Sequence, residues 1–520
     1  MNQIIRNSLV GLGSLGFITG FNNCSSGNRK NDPDLTRPNI IYILADDLGY
    51  GELGCYGQEK IETPNIDRLA ADGMIFTDHY TGSPVSAPAR CILLTGMHSG
   101  KAQIRSNDEL AERGDVWDYH AVIEDPSLEG QRPLKAGTFT IGSMLQPAGY
   151  TTAIVGKWGL GPPHSEGAPN NQGFDFFYGY NCQRQAHTYY PVHLWKNDRR
   201  VYLNNDTVAP HGWLGSEDDP YDPASYAPYN LNDYSSALMF EQITGFVEEN
   251  SGNPFFLYWA DPIPHLPLQA PKRWIEYYVE KFGDEVPYPG REGRGGYFPA
   301  RYPRATYAAM ISYLDENVGK LVQQLKDLDI YENTLIMFSS DNGPIGPYTP
   351  WFGSAEPFRT GSGYNKGHLN EGGIRVPMIA TWPAVIEPGS RSDHISVFYD
   401  VMPTLAEITG VEIPKDISGT SFLPVFRGEE QPQPEFLYWE FPGYGGQMAV
   451  RMGNMKALRK NMHAGNLVWE LYDLDDDPKE MNDISSIYPE VIEKVEEIVA
   501  RERTVSENPL FRFRVLGESR

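Results

Sequence analysis

The sequence predicts an α/β fold built on a large, mainly parallel β-sheet with helices on its faces. Short apolar runs, typical of strands that are buried on both faces, recur at Asn39–Ala45, Phe255–Trp259 and Thr334–Phe338. Segments with apolar residues at helical spacing, Ser236–Glu249 and Thr306–Leu328, precede the second and third of these runs. Strands that alternate with helices form parallel sheets, because each parallel connection needs a long crossover.

Polar residues follow the predicted strands at the ends where such sheets bind ligands. Two aspartates come directly after the first strand, a Gly-Lys pair follows Thr151–Val155, and an Asp-Asn pair follows shortly after Thr334–Phe338. Because ligands of open α/β sheets bind at the carboxyl ends of the strands, we expect these side chains to meet at one edge. They are Asp46, Asp47, Lys157, Asp341 and Asn342.

Other segments predict one more helix and two long loops. Thr63–Asp72 has the pattern of a capped helix. Trp213–Tyr229 and Glu285–Pro303 are rich in Gly, Pro, Asp and Tyr, which is typical of loops. We expect these two insertions to shape a substrate cleft.

After residue 425 the predicted elements change from strands that alternate with helices to consecutive strands. Phe436–Phe441, Met448–Met452 and Leu467–Tyr472 predict antiparallel strands, and the apolar positions from Val491 to Val499 predict a helix with one buried face. We therefore expect a smaller C-terminal α+β domain with an antiparallel sheet. The expected regions are 1–36 (signal peptide and polar linker), 37–425 (catalytic domain) and 426–520 (C-terminal domain).

The charge balance argues against nucleic acid as a partner. The 68 acidic residues outnumber the 43 basic residues, which gives a net charge of -25. The 12% aromatic content is common in proteins that handle sugars. Four cysteines are too few for a disulfide framework, and none has the spacing of metal ligands.

The N-terminal segment has the pattern of an export signal. Arg6 supplies positive charge, and the apolar stretch Leu9–Phe21 is too short to span a bilayer. Cys24 follows, as in bacterial lipoproteins, and predicts a lipid anchor on a periplasmic protein. Because Asn22 and Asn23 are unfavourable before a lipidated cysteine, cleavage by an ordinary signal peptidase stays an alternative.

The paired aspartates predict a cation site. Two adjacent carboxylates repel each other, so a buried pair needs a cation or protonation. Asp46 and Asp47, together with Asp341 and Asn342, offer an oxygen cage without Cys or His, which suits Ca²⁺. For the Asp-Asp pair taken alone, a solvated turn is the alternative.

The stretch Ser86 to Gly96, SAPARCILLTG, resembles the signature of the formylglycine-dependent sulfatases of the alkaline phosphatase superfamily. By itself it also fits a turn that opens a buried helix with Ser86 as N-cap. The same resemblance continues in order through Gly156-Lys157-Trp158, Pro264-His265, Ser340 to Gly343, and Lys366 with Glu371 to Pro377. It covers nearly the whole chain after the signal segment and implies an alkaline phosphatase-like fold.

The resemblance implies a role for each motif residue. Ser86 is oxidised by a maturase to formylglycine (3-oxoalanine), whose hydrate attacks sulfur. Arg90 orients this group, while Lys157 and Lys366 bind the sulfate oxygens. His265 contacts the sulfate and, with Lys366, protonates the leaving oxygen. One Ca²⁺ is held by Asp46, Asp47, Ser86 in its modified form, Asp341 and Asn342.

Two departures from the family pattern carry information. Gly159 stands where many relatives have a histidine that assists release of sulfate, and His187 or His164 would have to replace it. Serine at position 86, instead of cysteine, indicates a bacterial protein that a radical-type maturase modifies without oxygen. Gln183, Arg184 and His187 form a further group of expected substrate-binding residues.

The function implied is hydrolysis of sulfate esters on glycans by an exported bacterial sulfatase. The region Gln183 to Trp195 favours exo-acting removal of sulfate from galactose or N-acetylgalactosamine. Two alternatives remain. One is a phosphohydrolase of the same superfamily that uses Ser86 directly and binds two zinc ions, and the other is an inactive sugar-binding lipoprotein.

Overall fold

A large mixed β-sheet forms the centre of the fold, and its middle strands run parallel. The computed structural model describes residues 37–291 and 296–519. The predicted signal segment, with Cys24, lies outside the described residues. In chain order, the strands are β1 (Asn39–Ala45), β2 (Met74–Phe76), β3 (His79–Tyr80), β4 (Thr151–Lys157), β5 (Phe176–Tyr180), β6 (His193–Lys196), β7 (Arg199–Tyr202), β8 (Phe255–Ala260), β9 (Thr334–Ser340), β10 (Met378–Thr381), β11 (Ser390–Ser392), β12 (Ser396–Val397), β13 (Leu437–Phe441), β14 (Gln447–Met452), β15 (Met455–Arg459) and β16 (Glu470–Asp473).

The helices lie mainly in the crossovers between these strands. No helix within the described ranges combines the length and the apolar character that crossing a bilayer requires. In chain order, the helices are α1 (Pro64–Ala71), α2 (Ser86–Thr95), α3 (Tyr119–Glu124), α4 (Ile141–Leu145), α5 (Ser235–Asn250), α6 (Lys272–Phe282), α7 (Pro303–Asp327), α8 (Thr349–Phe352), α9 (Glu371–Ile374), α10 (Val401–Thr409), α11 (Leu423–Phe426) and α12 (Pro489–Glu502).

Within the described chain, ten strands form one sheet in the order β11-β2-β10-β9-β1-β8-β4-β5-β6-β7. The five central strands, β9, β1, β8, β4 and β5, run parallel to one another. In contrast, β10 on one side and β6 with β7 on the other are antiparallel. The predicted mainly parallel sheet is confirmed in its centre. The sequence does not predict the antiparallel margins, because those strands are only four residues long.

Strand β1 is buried on both faces, as its continuous apolar sequence predicts. Ile40, Tyr42 and Leu44 belong to a core that includes α2 and α10. Ile41 and Ile43 belong to a second core that includes α1, α5 and α7. Successive side chains of a strand point to opposite faces, so β1 packs into both layers of helices at once.

The ends of two strands set the positions of site residues. The predicted strand Thr151–Val155 continues to Lys157, and Thr334–Phe338 continues to Ser340. The strand backbone therefore fixes the direction in which Lys157 leaves the sheet. The predicted helices Thr63–Asp72, Ser236–Glu249 and Thr306–Leu328 are confirmed as α1, α5 and α7, with small differences at their ends.

A second sheet of four antiparallel strands, β13-β14-β15-β16, follows in the C-terminal region, with α12 packed against it. Two details of the prediction are wrong. The third predicted strand, Leu467–Tyr472, is only Glu470–Asp473, and Leu467 and Val468 lie exposed in a loop. The strand Met455–Arg459 is not predicted, because it has no β-branched or aromatic residue. The predicted domain boundary at residue 426 stays a prediction.

A buried ion-pair cluster joins this small sheet to helix α9, which precedes β10. The Lys456 Nζ on β15 lies 2.7 Å from Glu371 Oε1 on α9 and 2.8 Å from Glu480 Oε1. All three side chains are buried. Removing the Lys456 ammonium would leave the buried Glu480 carboxylate without its cationic partner, and Glu371 would keep only Arg375, whose Nη1 lies 3.3 Å from its Oε2. Leaving a buried charge unpaired in this way is costly.

We expect Lys456→Met to lower the free energy of unfolding by about 3–5 kcal/mol. Lys460→Met is the matched control, since the Lys460 Nζ binds Glu470 at 2.8 Å on the partly exposed surface. Such pairs contribute about 0–1 kcal/mol. Denaturant unfolding of both variants measures the difference, and equal losses would contradict a structural role for the buried cluster.

Candidate active site

The carboxyl ends of neighbouring strands bring the predicted polar residues together. Strands β1 and β9 are paired in parallel, with Ala45 opposite Ser340. Asp46 and Asp47 follow the first strand, and Asp341 follows the second. The Asp47 backbone N–H therefore donates to Asp341 Oδ1 at 3.1 Å. Asp47 itself has a φ of 68°, an uncommon left-handed conformation for a residue other than glycine.

Ser86 is the first residue of α2 and is 1% exposed. Its hydroxyl donates to Asp46 Oδ1 at 3.1 Å, and the Lys157 ammonium donates to Ser86 Oγ at 3.3 Å. The alternative in which Ser86 is the N-cap is wrong, because Val85 occupies that position. The N-terminus of α2 favours negative charge at Ser86.

Arg90 lies one helical turn after Ser86 and is completely buried. Its Nη2 donates to Asp341 Oδ2 at 2.9 Å, and Nη1 donates to the Lys157 carbonyl at 2.7 Å. Nη2 also lies 3.4 Å from Asp46 Oδ2. These fixed bonds hold the guanidinium beside the Ser86 hydroxyl without exposing it to water.

Lys366 and His265 approach Asp47 from two loops. The Lys366 Nζ lies 2.6 Å from Asp47 Oδ1, and the His265 Nε2 lies 3.7 Å from Asp47 Oδ2. The His265 Nδ1 lies 2.6 Å from the Leu266 carbonyl, to which it donates. Burial and the charge of Lys366 lower the pKa of His265 to about 3. The Nε2 of the neutral ring is then an acceptor that faces a carboxylate oxygen.

The three buried carboxylates differ in the direction of their pKa shifts. Burial would raise the pKa of Asp46, but positive charge, first that of Lys157, lowers it below its usual value. Burial raises the pKa of Asp47 and of Asp341, and the charge of Asp46 adds to the rise in both. This mutual repulsion is what a bound cation would relieve.

The donor set fits a divalent cation. Oxygens or ring nitrogens of Asp46, Asp47 and His265 lie within 4.8 Å of one another. Among the described residues, Asp47 Oδ2 and the side-chain amide oxygen Oδ1 of Asn342 are buried and accept no hydrogen bond. Buried oxygens without donors and carboxylates that repel each other are what a hard, oxygen-preferring cation satisfies. The oxygen cage that the sequence predicts does not include His265.

The predicted substrate-binding residues form a wall beside this centre. His187 stacks on His265 with 5.3 Å between the ring centroids, and it meets the edge of the His211 ring at 5.6 Å. Arg184 lies over the Trp117 ring at 3.2 Å, and its Nη2 is 3.4 Å from the His211 Nε2. The wall is therefore continuous from His265 to the Trp117 indole.

Gly159 faces the same wall. A Cβ added at Gly159 would lie 3.7 Å from Gln183 Oε1 and 3.9 Å from Arg90 Cδ. Gln183 is 4% exposed, and its Oε1 accepts no hydrogen bond in the described part of the protein. Of the two candidate histidines, His187 reaches the site, whereas His164 packs against Trp195 at 5.4 Å.

Several residues of the site carry no signal in the sequence. The Asn107 side-chain carbonyl accepts from the N–H of Ala87, the residue after Ser86, at 3.1 Å. Tyr297, in the second predicted loop, contacts the rings of His187 and His265. The first predicted loop pairs with the second through Trp213 and Gly290. Only the folded chain shows these neighbours, because each lies in an irregular segment.

Comparison with known proteins decides the family. The model of the sulfatase family matches residues 38–411, and a C-terminal model, N-sulphoglucosamine sulphohydrolase, matches residues 362–504. The chain belongs to the sulfatase family. This sulfatase is 31% identical to the N-acetylgalactosamine-6-sulfatase of Canis lupus familiaris over 81% of its own length and 71% of the relative. It is therefore a sulfuric ester hydrolase.

Two other similar proteins align over more of the sulfatase. The N-acetylgalactosamine-6-O-sulfatase of Bacteroides thetaiotaomicron is 27% identical, over 95% of this chain and 98% of the relative. The crystal structure of Ps i-CgsB in complex with k-i-k-neocarrahexaose superimposes with a TM-score of 0.68 at 28% identity. It covers 90% of this chain and 94% of that one.

We expect calcium to stabilise the sulfatase after removal of metals with a chelator. At a free concentration of 100 times Kd, the free energy of unfolding should rise by about 2.7 kcal/mol. Asp47→Asn removes one charge from the site and should require at least about tenfold more calcium for the same effect. Asp416→Asn, at an exposed position, is the control. Thermal unfolding against calcium concentration measures this, and identical curves for Asp47→Asn and wild type would refute the assignment.

Proposed function

We propose that this sulfatase removes sulfate from sulfated glycans, acting at the chain end on galactose or N-acetylgalactosamine sulfates. The observation that carries the proposal is the convergence of Ser86, Arg90 and Lys157 on one buried carboxylate, Asp46. The N-acetylgalactosamine sulfatases among the relatives, and the neocarrahexaose bound to Ps i-CgsB, support a sulfated galactose-type sugar as the substrate.

The proposal includes oxidation of Ser86 to formylglycine by a maturase and binding of one Ca²⁺ by Asp46, Asp47, Asp341 and Asn342. The hydrated aldehyde would supply the attacking oxygen, and the cation would withdraw charge from the sulfate. The contacts of Ser86 support this, since its hydroxyl lies between Asp46, a proposed cation ligand, and the Lys157 ammonium. Serine at this position supports maturation by a radical-type enzyme.

The cationic side chains balance the charge of the site. Lys157, Lys366 and Arg90 offset three carboxylates before any cation binds, so a divalent ion makes the site net positive. That excess attracts the sulfate ester and stabilises the charge that develops as the ester bond breaks. Lys157 and Lys366 would bind the sulfate oxygens, and Arg90 would orient the group at position 86.

Protonation of the departing sugar oxygen is assigned to His265 together with Lys366. His265 is neutral in the substrate-free site, so it would take up its proton when the negative charge of a bound sulfate ester raises its pKa, while the Lys366 ammonium beside the same Asp47 already carries one. His187, which stacks on His265, is the residue we assign to the role left open by Gly159. The stacked imidazoles place polar nitrogens beside the site on the side of the substrate wall. We also propose export of the enzyme to the periplasm, with Cys24 as a lipid anchor, on the basis of the N-terminal sequence.

Defined sulfated sugars test the proposed function. Purified, matured enzyme should hydrolyse 4-sulfated or 6-sulfated galactose or N-acetylgalactosamine, and Ser86→Ala should lower kcat/KM by at least about a thousandfold. The corresponding phosphate esters serve as comparison substrates. Faster hydrolysis of the phosphate esters, or full activity of Ser86→Ala, would overturn the proposal. Sugar binding without turnover would favour an inactive lectin-like protein.

The acid role of His265 predicts a dependence on the leaving group. We expect His265→Ala to lower kcat on a sugar sulfate about 10²–10⁴-fold, because the sugar alkoxide needs a proton to leave. Turnover of 4-nitrophenyl sulfate should fall much less, since nitrophenolate leaves without one. The exposed His120→Ala is the control. A similar loss on both substrates would show that His265 acts on the sulfate and not on the leaving group.

A further inference from the structure

A small cavity of about 190 Å³ has Asn107 in its wall. Its wall is bonded to the start of α2, because the Asn107 side-chain carbonyl accepts from the N–H of Ala87, the residue after Ser86. The volume suits one sugar ring better than an extended chain. The wall also includes Asp108, Glu109, Trp117, Pro442 and Leu510.

Glu109 differs from the other carboxylates around it. Asp108 and Glu112 both bind Arg132, at 2.7 Å and 2.8 Å. No Lys or Arg that the structure describes lies within ion-pair distance of Glu109, although the side chain is partly buried. Burial raises the pKa of Glu109, and the charges of Arg184 and Lys157 oppose the rise.

An aromatic and apolar surface lies next to this carboxylate. Trp117 lines the cavity together with Pro442 and Leu510. The Arg184 guanidinium, 3.2 Å from the centre of the Trp117 ring, fixes the position of the indole. Arg184 is 5% exposed, and its Nη2 lies 3.4 Å from the His211 Nε2. An indole next to an acceptor suits the C–H face and the hydroxyls of a sugar.

We propose that this cavity binds the sugar ring of the substrate and that Glu109 selects a neutral, singly sulfated sugar. The Glu109 carboxylate accepts hydrogen bonds from ring hydroxyls while Trp117 packs against the ring. A second sulfate or a uronate carboxylate in this cavity would bring negative charge against a carboxylate that has no ion partner. The proposal rests on the proposed function for the sulfate-binding half of the site.

Kinetics on three substrates test this role. Glu109→Gln should lower kcat/KM on 6-sulfated N-acetylgalactosamine about 10–100-fold, mainly through KM, because a hydrogen bond to a charged acceptor is lost. Turnover of 4-nitrophenyl sulfate should stay within about twofold. The rate on a disulfated galactose, relative to the singly sulfated sugar, should rise. Glu112→Gln, three positions along the same loop, should change none of these values.

Binding of unsulfated N-acetylgalactosamine, followed by NMR titration, separates this proposal from the proposed function. The Kd should rise about tenfold or more in Glu109→Gln and stay unchanged in Glu112→Gln. Unchanged binding in Glu109→Gln, or equal losses on the aryl and sugar sulfates, would overturn the role of Glu109. A different result would separate the two proposals. If the wild-type enzyme hydrolyses no sulfate ester but Glu109→Gln still loses sugar binding, the proposed function is overturned and the sugar subsite is retained.

Discussion

The structure depends on the opposition between buried carboxylates and buried cations at the carboxyl edge of the sheet. Asp46 is the centre of this arrangement, since it accepts from Ser86 and lies within ion-pair distance of both Lys157 and Arg90. None of these groups is stable in the interior alone, because burying an uncompensated charge costs several kcal/mol. Each charge therefore fixes the positions of the others, and the nucleophile position is held by the same bonds.

The backbone makes this arrangement possible before any side chain contributes. Strand β1 is parallel to both β8 and β9, so residues that follow these strands emerge at the same edge. Packing of alternate β1 residues into two cores keeps that edge rigid. Rigid strands suit a site whose groups must stay within hydrogen-bond distance of a reacting ester.

The sequence predicts the parts of the protein that follow from local pattern. The apolar run Asn39–Ala45 is a strand with the predicted ends, and the motif residues at the sheet edge lie together. Strand Met455–Arg459 is missed, because its stability comes from pairing with neighbours and not from its own residues. Glu109 and Trp117 are missed for a related reason, since loop residues acquire a site only when distant segments fold against them.

The central claim is that the nucleophile is made from Ser86 and held by Asp46, Arg90 and Lys157. Mass spectrometry of the peptide that contains Ser86, on a preparation with measured sulfatase activity, tests it most directly. We expect the peptide to have lost two hydrogens, with the modified fraction rising in proportion to the specific activity. A fully active enzyme whose Ser86 peptide has the mass of unmodified serine would contradict the account.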